Sequence, residues 1–190
     1  LWSEANRAYD LAMAMGEKLS IPYLIGMYNE YVRYLLLQGK IAEAEKIHQK
    51  AIDELKRTEE QFAGGEDVSF LANLNAIKLS VALETISTDG AARQFEALLE
   101  HYAETAQQAH IHHAIWMLDS RRLANRQQAI TLCEAHFTEA QDRTLFDEYF
   151  DLTGKPLPEL ESLPDLPNDL LVSLLSMTEA YQAIERWLAE

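Results

Sequence analysis

The chain of 190 residues has a single cysteine, Cys133, and only seven glycines. One thiol excludes an intramolecular disulfide, and the cytoplasm is therefore the expected compartment. No run of about 18 uninterrupted apolar residues is present, so the sequence predicts no membrane-spanning helix. Because glycine is rare and β-branched residues form no alternating runs, helix is favoured along most of the chain.

Positive charge is also scarce: 16 Lys and Arg stand against 31 Asp and Glu, which gives a formal net charge of -15. Such a field repels phosphate backbones and anionic membrane surfaces, so neither nucleic acid nor membrane insertion is expected. Residues 144–190 contain ten acidic residues against only Lys155 and Arg186, so about half of the excess lies in this C-terminal quarter. The hydrophobic content of 48% is nevertheless that of a folded domain.

Apolar residues recur at helical spacing in three N-terminal segments, which are predicted to be helices over 2–19, 23–38 and 41–62. Two later segments, 70–86 and 110–123, have the same pattern, and residues 87–90, which follow the first of them, are predicted to form a turn. Two amphipathic helices joined by a short turn lie antiparallel, and neither buries its apolar side alone. Neighbouring hairpins are therefore expected to cover the remaining apolar surface.

The segment 23–62 carries a recognisable set of spacings, formed by Tyr28, Tyr31, Val32, Leu35, Gly39, Ile41, Ala44, His48 and Ala51. Large apolar residues in the first helix, a glycine in the turn and small residues in the second helix resemble the tetratricopeptide repeat (TPR). His48 stands where that family usually has an aromatic residue, and Val32 stands where it usually has a small one. The match is strongest over residues 1–60 and extends to about residue 140.

The second-helix pattern is a small residue, an aromatic residue four positions later and a small residue three positions further. It recurs at Ala5, Tyr9 and Ala12, and in weaker form at Ala91, Phe95 and Leu98 and at Ala129, Cys133 and His136. The resemblance implies an all-α, right-handed superhelical stack of antiparallel hairpins, of which the first is incomplete. The chain is therefore expected to be a piece of a larger protein.

The resemblance also implies a function. Repeats with long helices of this kind are similar to those of bacterial regulatory proteins, which implies a protein- or peptide-binding scaffold that is not an enzyme and needs no cofactor. Such a scaffold would be the regulatory or sensor module of a larger signalling protein. The alternative is an oligomerisation module fused to an output domain such as a diguanylate cyclase, a kinase or a DNA-binding unit.

In this family the first helix of each hairpin lines a concave surface that holds extended peptides, so the resemblance implies a partner-binding groove. The spacing places in it Asn29, Arg33, Leu36, Asn73, Ala76, Ser80, Ile111, Ala114, Arg121 and Arg122. Asn can hydrogen-bond a peptide backbone, and Arg can bind a carboxylate through two bonds. The alternative is that these are solvated side chains on a scaffold whose binding surface lies elsewhere.

Four of the five prolines follow Phe150 within an acidic stretch. The sequence therefore predicts a repeat array over 1–150, an acidic connector over 151–168 and a C-terminal helix over 169–190. One hypothesis places the connector, with Glu159, Glu161 and Asp165, in or near the groove as a tethered competitor of the ligand.

The predicted C-terminal helix carries a heptad seam, formed by Leu170, Leu174, Met177, Tyr181, Ile184 and Leu188. Capping of the last hairpin is the preferred interpretation, because repeat arrays need a covered end. Homodimerisation through this helix, or connection to a further domain, are the alternatives.

Two clusters invite a chemical interpretation. His110 and His113 share one helix face and can supply two metal ligands, with Glu104 as a local candidate for a third. This is the basis of a remote alternative, a metal-dependent hydrolase, but the preferred interpretation has no metal and one His packed beside Trp116. Likewise Cys133 with His136 has the spacing of a thiolate and its base, although both are predicted to lie in the core.

Overall fold

The structure is a computed structural model that describes residues 2–19, 24–61, 66–140, 144–157 and 177–189. Regular secondary structure in these ranges consists of α-helices alone: α1 (Trp2–Leu19), α2 (Leu24–Leu37), α3 (Ile41–Gln61), α4 (Glu66–Ala82), α5 (Thr88–His101), α6 (Thr105–Leu118), α7 (Leu123–Ala140), α8 (Phe146–Thr153) and α9 (Met177–Ala189). The prediction of an all-α fold is confirmed for this part of the chain. None of the helices described has the length and apolarity needed to cross a bilayer.

Helix bounds agree with the sequence pattern at the N-terminus and shift later in the chain. Helix α1 has the predicted bounds, α2 is one residue shorter at each end, and α3 is one residue shorter at its C-terminal end. Helices α4 and α6 begin and end four or five residues earlier than predicted. Residues 87–90 were expected to form a turn, but α5 begins at Thr88, because the Ser87 hydroxyl accepts a hydrogen bond from the Gly90 N–H at 3.1 Å and caps the helix.

The chain divides into two compact units. Unit 1 comprises Leu1–Ala72 and Leu163–Glu190, and unit 2 comprises Asn73–Ser162.

In unit 1 the core lies between α2 and α3. Val32 and Leu35 of α2 are completely buried, as are Ala44 and Ala51 of α3. Small side chains at the last two positions allow the helices to approach closely, as the repeat pattern predicts. Helix α1 also packs against α2, where the rings of Tyr9 and Tyr31 stack with centroids 4.7 Å apart.

Polar side chains of α1 also form hydrogen bonds with α2 and α3. The hydroxyl of Tyr28 donates to Glu17 at 2.9 Å, and Lys50 of α3 donates to the same carboxylate at 2.8 Å. These hydrogen bonds with Lys50, and with Tyr28, lower the pKa of Glu17, although burial opposes the shift. The hydroxyl of Tyr31 donates to Asp10 at 3.3 Å, and burial raises the pKa of this tyrosine to about 12.

The C-terminal helix α9 packs against α1. Arg7 donates to Glu185 at 2.6 Å and lies over the Tyr181 ring, while Lys18 donates to the Trp187 carbonyl at 2.6 Å. Packing on α1 was not among the predicted contacts of this helix, and capping of the last hairpin stays a prediction. A heptad pattern shows that a helix has an apolar face, but it does not identify the surface that covers the face. The predicted seam residues Leu170 and Leu174 lie outside the described residues.

Unit 2 is built around α6. Helices α5, α7 and α8 each pack against α6, and α7 also packs against α8. The core between α6, α7 and α8 is formed by Ala109, Ala129, Cys133, Leu145 and Leu152. Helix α8 ends at Gly154, whose φ of 69° is the left-handed conformation that closes many helices.

Candidate functional site

The predicted groove residues of unit 1 lie on α2. Asn29 is only 2% exposed, so its amide lies in the core and does not reach an open surface. Arg33 is partly exposed and donates to Glu30 at 3.1 Å, one helical turn away, and Leu36 is also partly exposed. Of the three residues that repeat spacing placed in the groove, Arg33 and Leu36 therefore remain partly accessible and Asn29 does not. The spacing did not show how far α1 and α3 would cover that face of α2.

The first predicted groove residues of unit 2 lie on α4. Asn73 is exposed and its amide donates to the Tyr102 hydroxyl at 2.9 Å. Ser80 is partly exposed and its hydroxyl donates to the carbonyl of Ala76 at 2.9 Å, within the same helix. Both polar groups therefore have an intramolecular partner. Binding of a ligand here would have to compete with, or add to, these hydrogen bonds.

The last predicted groove residues divide into two sets. Ile111 and Ala114 are buried and belong to the core of unit 2, so their prediction as groove residues is corrected. Arg121 and Arg122 lie at the surface, in the turn between α6 and α7. The guanidinium of Arg121 donates to both carboxylate oxygens of Asp119, at 2.9 and 3.1 Å, and these bonds lower the pKa of that carboxyl.

The same turn exposes two large apolar side chains that the sequence analysis did not identify. Met117, at the end of α6, is 58% exposed, and Leu123, at the start of α7, is 65% exposed. Arg121 lies between them in sequence and its side chain is 89% exposed. We call residues 117–123 the α6–α7 turn. The sequence did not predict that Met117 and Leu123 are exposed. Helix periodicity identifies the apolar face of a helix, whereas these two side chains lie at helix ends.

A second cluster joins α6 to α8. The Nδ1 atom of His110 lies 3.1 Å from Glu148 Oε1, and the Nε2 atom of His113 lies 3.5 Å from Asp151 Oδ2. In each helix the two residues are three positions apart and therefore share one face. The first pair is almost completely buried, whereas the Asp151 side chain is 47% exposed. We call these four residues the histidine clasp.

The clasp does not form a metal site in the part of the chain that the structure describes, where no three His, Cys, Asp or Glu side chains are arranged to hold an ion. His113 instead packs beside Trp116, with ring centroids 6.0 Å apart, as the preferred interpretation predicted. His112 faces α7, where its Nδ1 atom lies 3.0 Å from the Asn125 amide nitrogen. Sequence pattern brought His110 and His113 to one face but contained no signal for Glu148 and Asp151.

Cys133 lies in the core beneath α8. It is completely buried, and burial together with the nearby carboxylate of Glu148 raises the pKa of its thiol to about 12. A thiol with this pKa stays protonated at neutral pH and is a poor nucleophile. This environment agrees with the predicted core role of Cys133. The side chain of His136, its predicted partner, is only partly buried.

The proposed competitor segment, with Glu159, Glu161 and Asp165, lies outside the described residues. Comparison of the chain with protein-family models, with curated proteins and with solved structures finds no match. The resemblance to tetratricopeptide repeats therefore depends on the residue pattern alone.

Proposed function

We propose that the chain is a protein- or peptide-binding scaffold of TPR-like hairpins stacked with a right-handed rise. The close packing of α2 on α3 across Ala44 and Ala51 supports this proposal, because small residues at these positions are what the repeat pattern requires. By the same resemblance, the scaffold is the regulatory or sensor module of a larger bacterial signalling protein.

The observation that carries the binding proposal is the α6–α7 turn. Met117 and Leu123 expose apolar surface that would leave water on binding, which is favourable in proportion to its area. Arg121 lies beside them, and methionine and arginine are both enriched at protein interfaces. A guanidinium has five N–H donors, and the two bonds to Asp119 leave the others for a ligand.

These features indicate the chemistry of the partner. Apolar side chains are needed opposite Met117 and Leu123, and a carboxylate is the natural acceptor for Arg121 and Arg122. Arg122 is already close to Glu96, at 3.5 Å, so a second acceptor would share that guanidinium. The expected ligand is therefore a peptide segment with apolar residues and an adjacent acidic residue.

The test is a peptide-display selection against the purified chain, followed by affinity measurements on the enriched peptides. We expect Leu123→Glu and Arg121→Glu to weaken binding about tenfold or more, the usual effect of losing a central contact. Leu83→Glu and Arg93→Glu are the matched controls, since both residues are exposed in unit 2 but lie outside the turn. Arg33→Glu tests the part of the predicted groove that lies in unit 1.

Peptides that bind equally well to the turn variants and to the wild type would exclude the α6–α7 turn. If Arg33→Glu also had no effect, the predicted groove would be excluded as well. The alternative of an oligomerisation module is tested by light scattering over a range of concentrations. A stable oligomer without selected peptides would favour that alternative.

A further inference from the structure

The histidine clasp connects two helices through one hydrogen bond and one longer ion-pair contact. His110 and Glu148 form one contact at 3.1 Å, and His113 and Asp151 form the other at 3.5 Å, one turn further along each helix. Both contacts join an imidazole to a carboxylate. Imidazole is the side chain whose ordinary charge change falls between about pH 5 and 8, and contacts of this chemical type are therefore candidates for a pH-dependent attachment.

Helix α8 depends on such contacts for its position. It has only eight residues, and a helix of this length is not stable in water by itself. Its attachment to α6 and α7 covers a core that includes Cys133, Leu145 and Leu152. Release of α8 would therefore uncover the apolar side of the α6–α7 hairpin together with the only thiol in the chain.

Other charged or titratable groups also face α8, from α7. Arg126 donates a hydrogen bond to the Leu152 carbonyl, and its guanidinium keeps its charge at every pH considered. Glu134 accepts a hydrogen bond from the Tyr149 hydroxyl at 3.1 Å, and the Cys133 thiol has a pKa of about 12.

Two further imidazoles lie on the same helices as these groups. His112 of α6 faces Asn125 of α7, and burial lowers the pKa of that histidine. His136 lies on α7, three residues from Cys133. Substitution of either imidazole therefore tests whether the pH dependence belongs to the clasp or to another histidine of these helices.

We propose that the histidine clasp is a pH-dependent attachment of α8, which is tightest at mildly acidic pH and loosens as the pH rises towards 8. A protonated imidazole donates a charge-assisted hydrogen bond to a carboxylate, and such a bond is roughly twice as strong as a neutral one. The buried His110–Glu148 pair carries most of the effect. The His113–Asp151 pair contributes less, because water screens the exposed Asp151.

The experiment uses Cys133 as a reporter of α8 release. The rate of thiol labelling is measured in the folded chain and in the urea-unfolded chain at the same pH, and the ratio of the two rates gives the opening constant. Taking this ratio cancels the effect of pH on the thiol itself. We expect the opening constant to rise about fivefold between pH 5.5 and 8, the difference between a neutral and a charge-assisted hydrogen bond.

Substitutions of the clasp residues test whether these residues cause the pH dependence of the opening constant. The double variant His110→Gln and His113→Gln keeps hydrogen-bond donors but has no charge to gain, so its opening constant should not vary over this range. Glu148→Gln removes the opposite charge and should greatly reduce the variation, even if the histidine variant does not fold. His112→Gln and His136→Gln should keep the wild-type pH dependence.

Three outcomes would overturn the proposal. The first is an opening constant of the wild type that is the same at pH 5.5 and 8. The second is a pH dependence that persists in both the histidine and the Glu148 variants. The third is its loss in His112→Gln or His136→Gln, which would assign the effect to a different imidazole.

Discussion

Gly16 and Gly26 are both helical glycines of unit 1, yet alanine should have opposite effects at the two positions. A Cβ atom added at Gly16 in α1 would overlap Cδ2 of Leu24 and lie 3.2 Å from its Cγ. Leu24 is only 4% exposed, so it has little space into which it can move. At Gly26 in α2 an added Cβ atom would meet nothing within 4 Å.

The gain in helix propensity and the cost of overpacking together decide whether alanine stabilises or destabilises the chain at each position. Replacing a glycine inside a helix by alanine stabilises the helix by up to about 1 kcal/mol. Adding a methyl group to a filled core costs about 1–3 kcal/mol. Gly16→Ala should therefore lower the free energy of unfolding by about 1 kcal/mol, whereas Gly26→Ala should only raise it. We therefore expect the free energies of unfolding of the two variants to differ by about 2 kcal/mol.

Urea unfolding followed by circular dichroism measures this difference. The midpoint should fall for Gly16→Ala and rise for Gly26→Ala, with no change in the dependence on urea concentration. Leu24→Ala removes the side chain that the new methyl group would meet, so Gly16→Ala should no longer destabilise the chain in that background. A Gly16→Ala variant as stable as Gly26→Ala would refute the close approach of α1 and α2.

Two further predictions concern unit 1. His48 is half-buried, and its buried Nδ1 atom has no hydrogen bond to the described residues, so His48→Leu should stabilise the chain by about 1 kcal/mol. Because burial lowers the pKa of His48, the wild type loses stability as the pH falls below the ordinary histidine value, and urea unfolding should show the largest gain for His48→Leu near pH 5.5. A larger gain at pH 8 would contradict this assignment. Lys18→Met should cost less than about 1 kcal/mol and cost less still at high salt, because the contact of Lys18 with α9 is exposed. Lys46→Met on the exposed side of α3 is its control, and equal losses in the two variants would show that the α9 contact contributes nothing.

Much of the fold follows from local sequence signals. Helix α1 has the predicted bounds, and α2 and α3 are displaced by one residue at most at each end, because their apolar spacing is regular and Gly39 marks the turn. The start of α5 was predicted less well. Ser87 to Gly90 have the composition of a turn, but the same residue types cap helices, and composition alone does not distinguish the two roles.

The candidate sites were less predictable than the helices. Arg121 is exposed as expected, but the exposure of Met117 and Leu123 beside it depends on where α6 ends and α7 begins. Asn29 follows the repeat spacing of a groove residue and yet is buried, because neighbouring helices cover the face on which it lies. Spacing along one helix identifies a face, whereas exposure depends on what packs against it.

The amino-acid sequence by itself determined that this chain is helical, which residues share a helix face, and that Cys133 belongs to a core. These properties depend on residues within a few turns of one another. Only the tertiary structure decided that α9 packs on α1 and that Glu148 and Asp151 face His110 and His113. These contacts join residues distant in sequence, and no local period encodes which surface meets which.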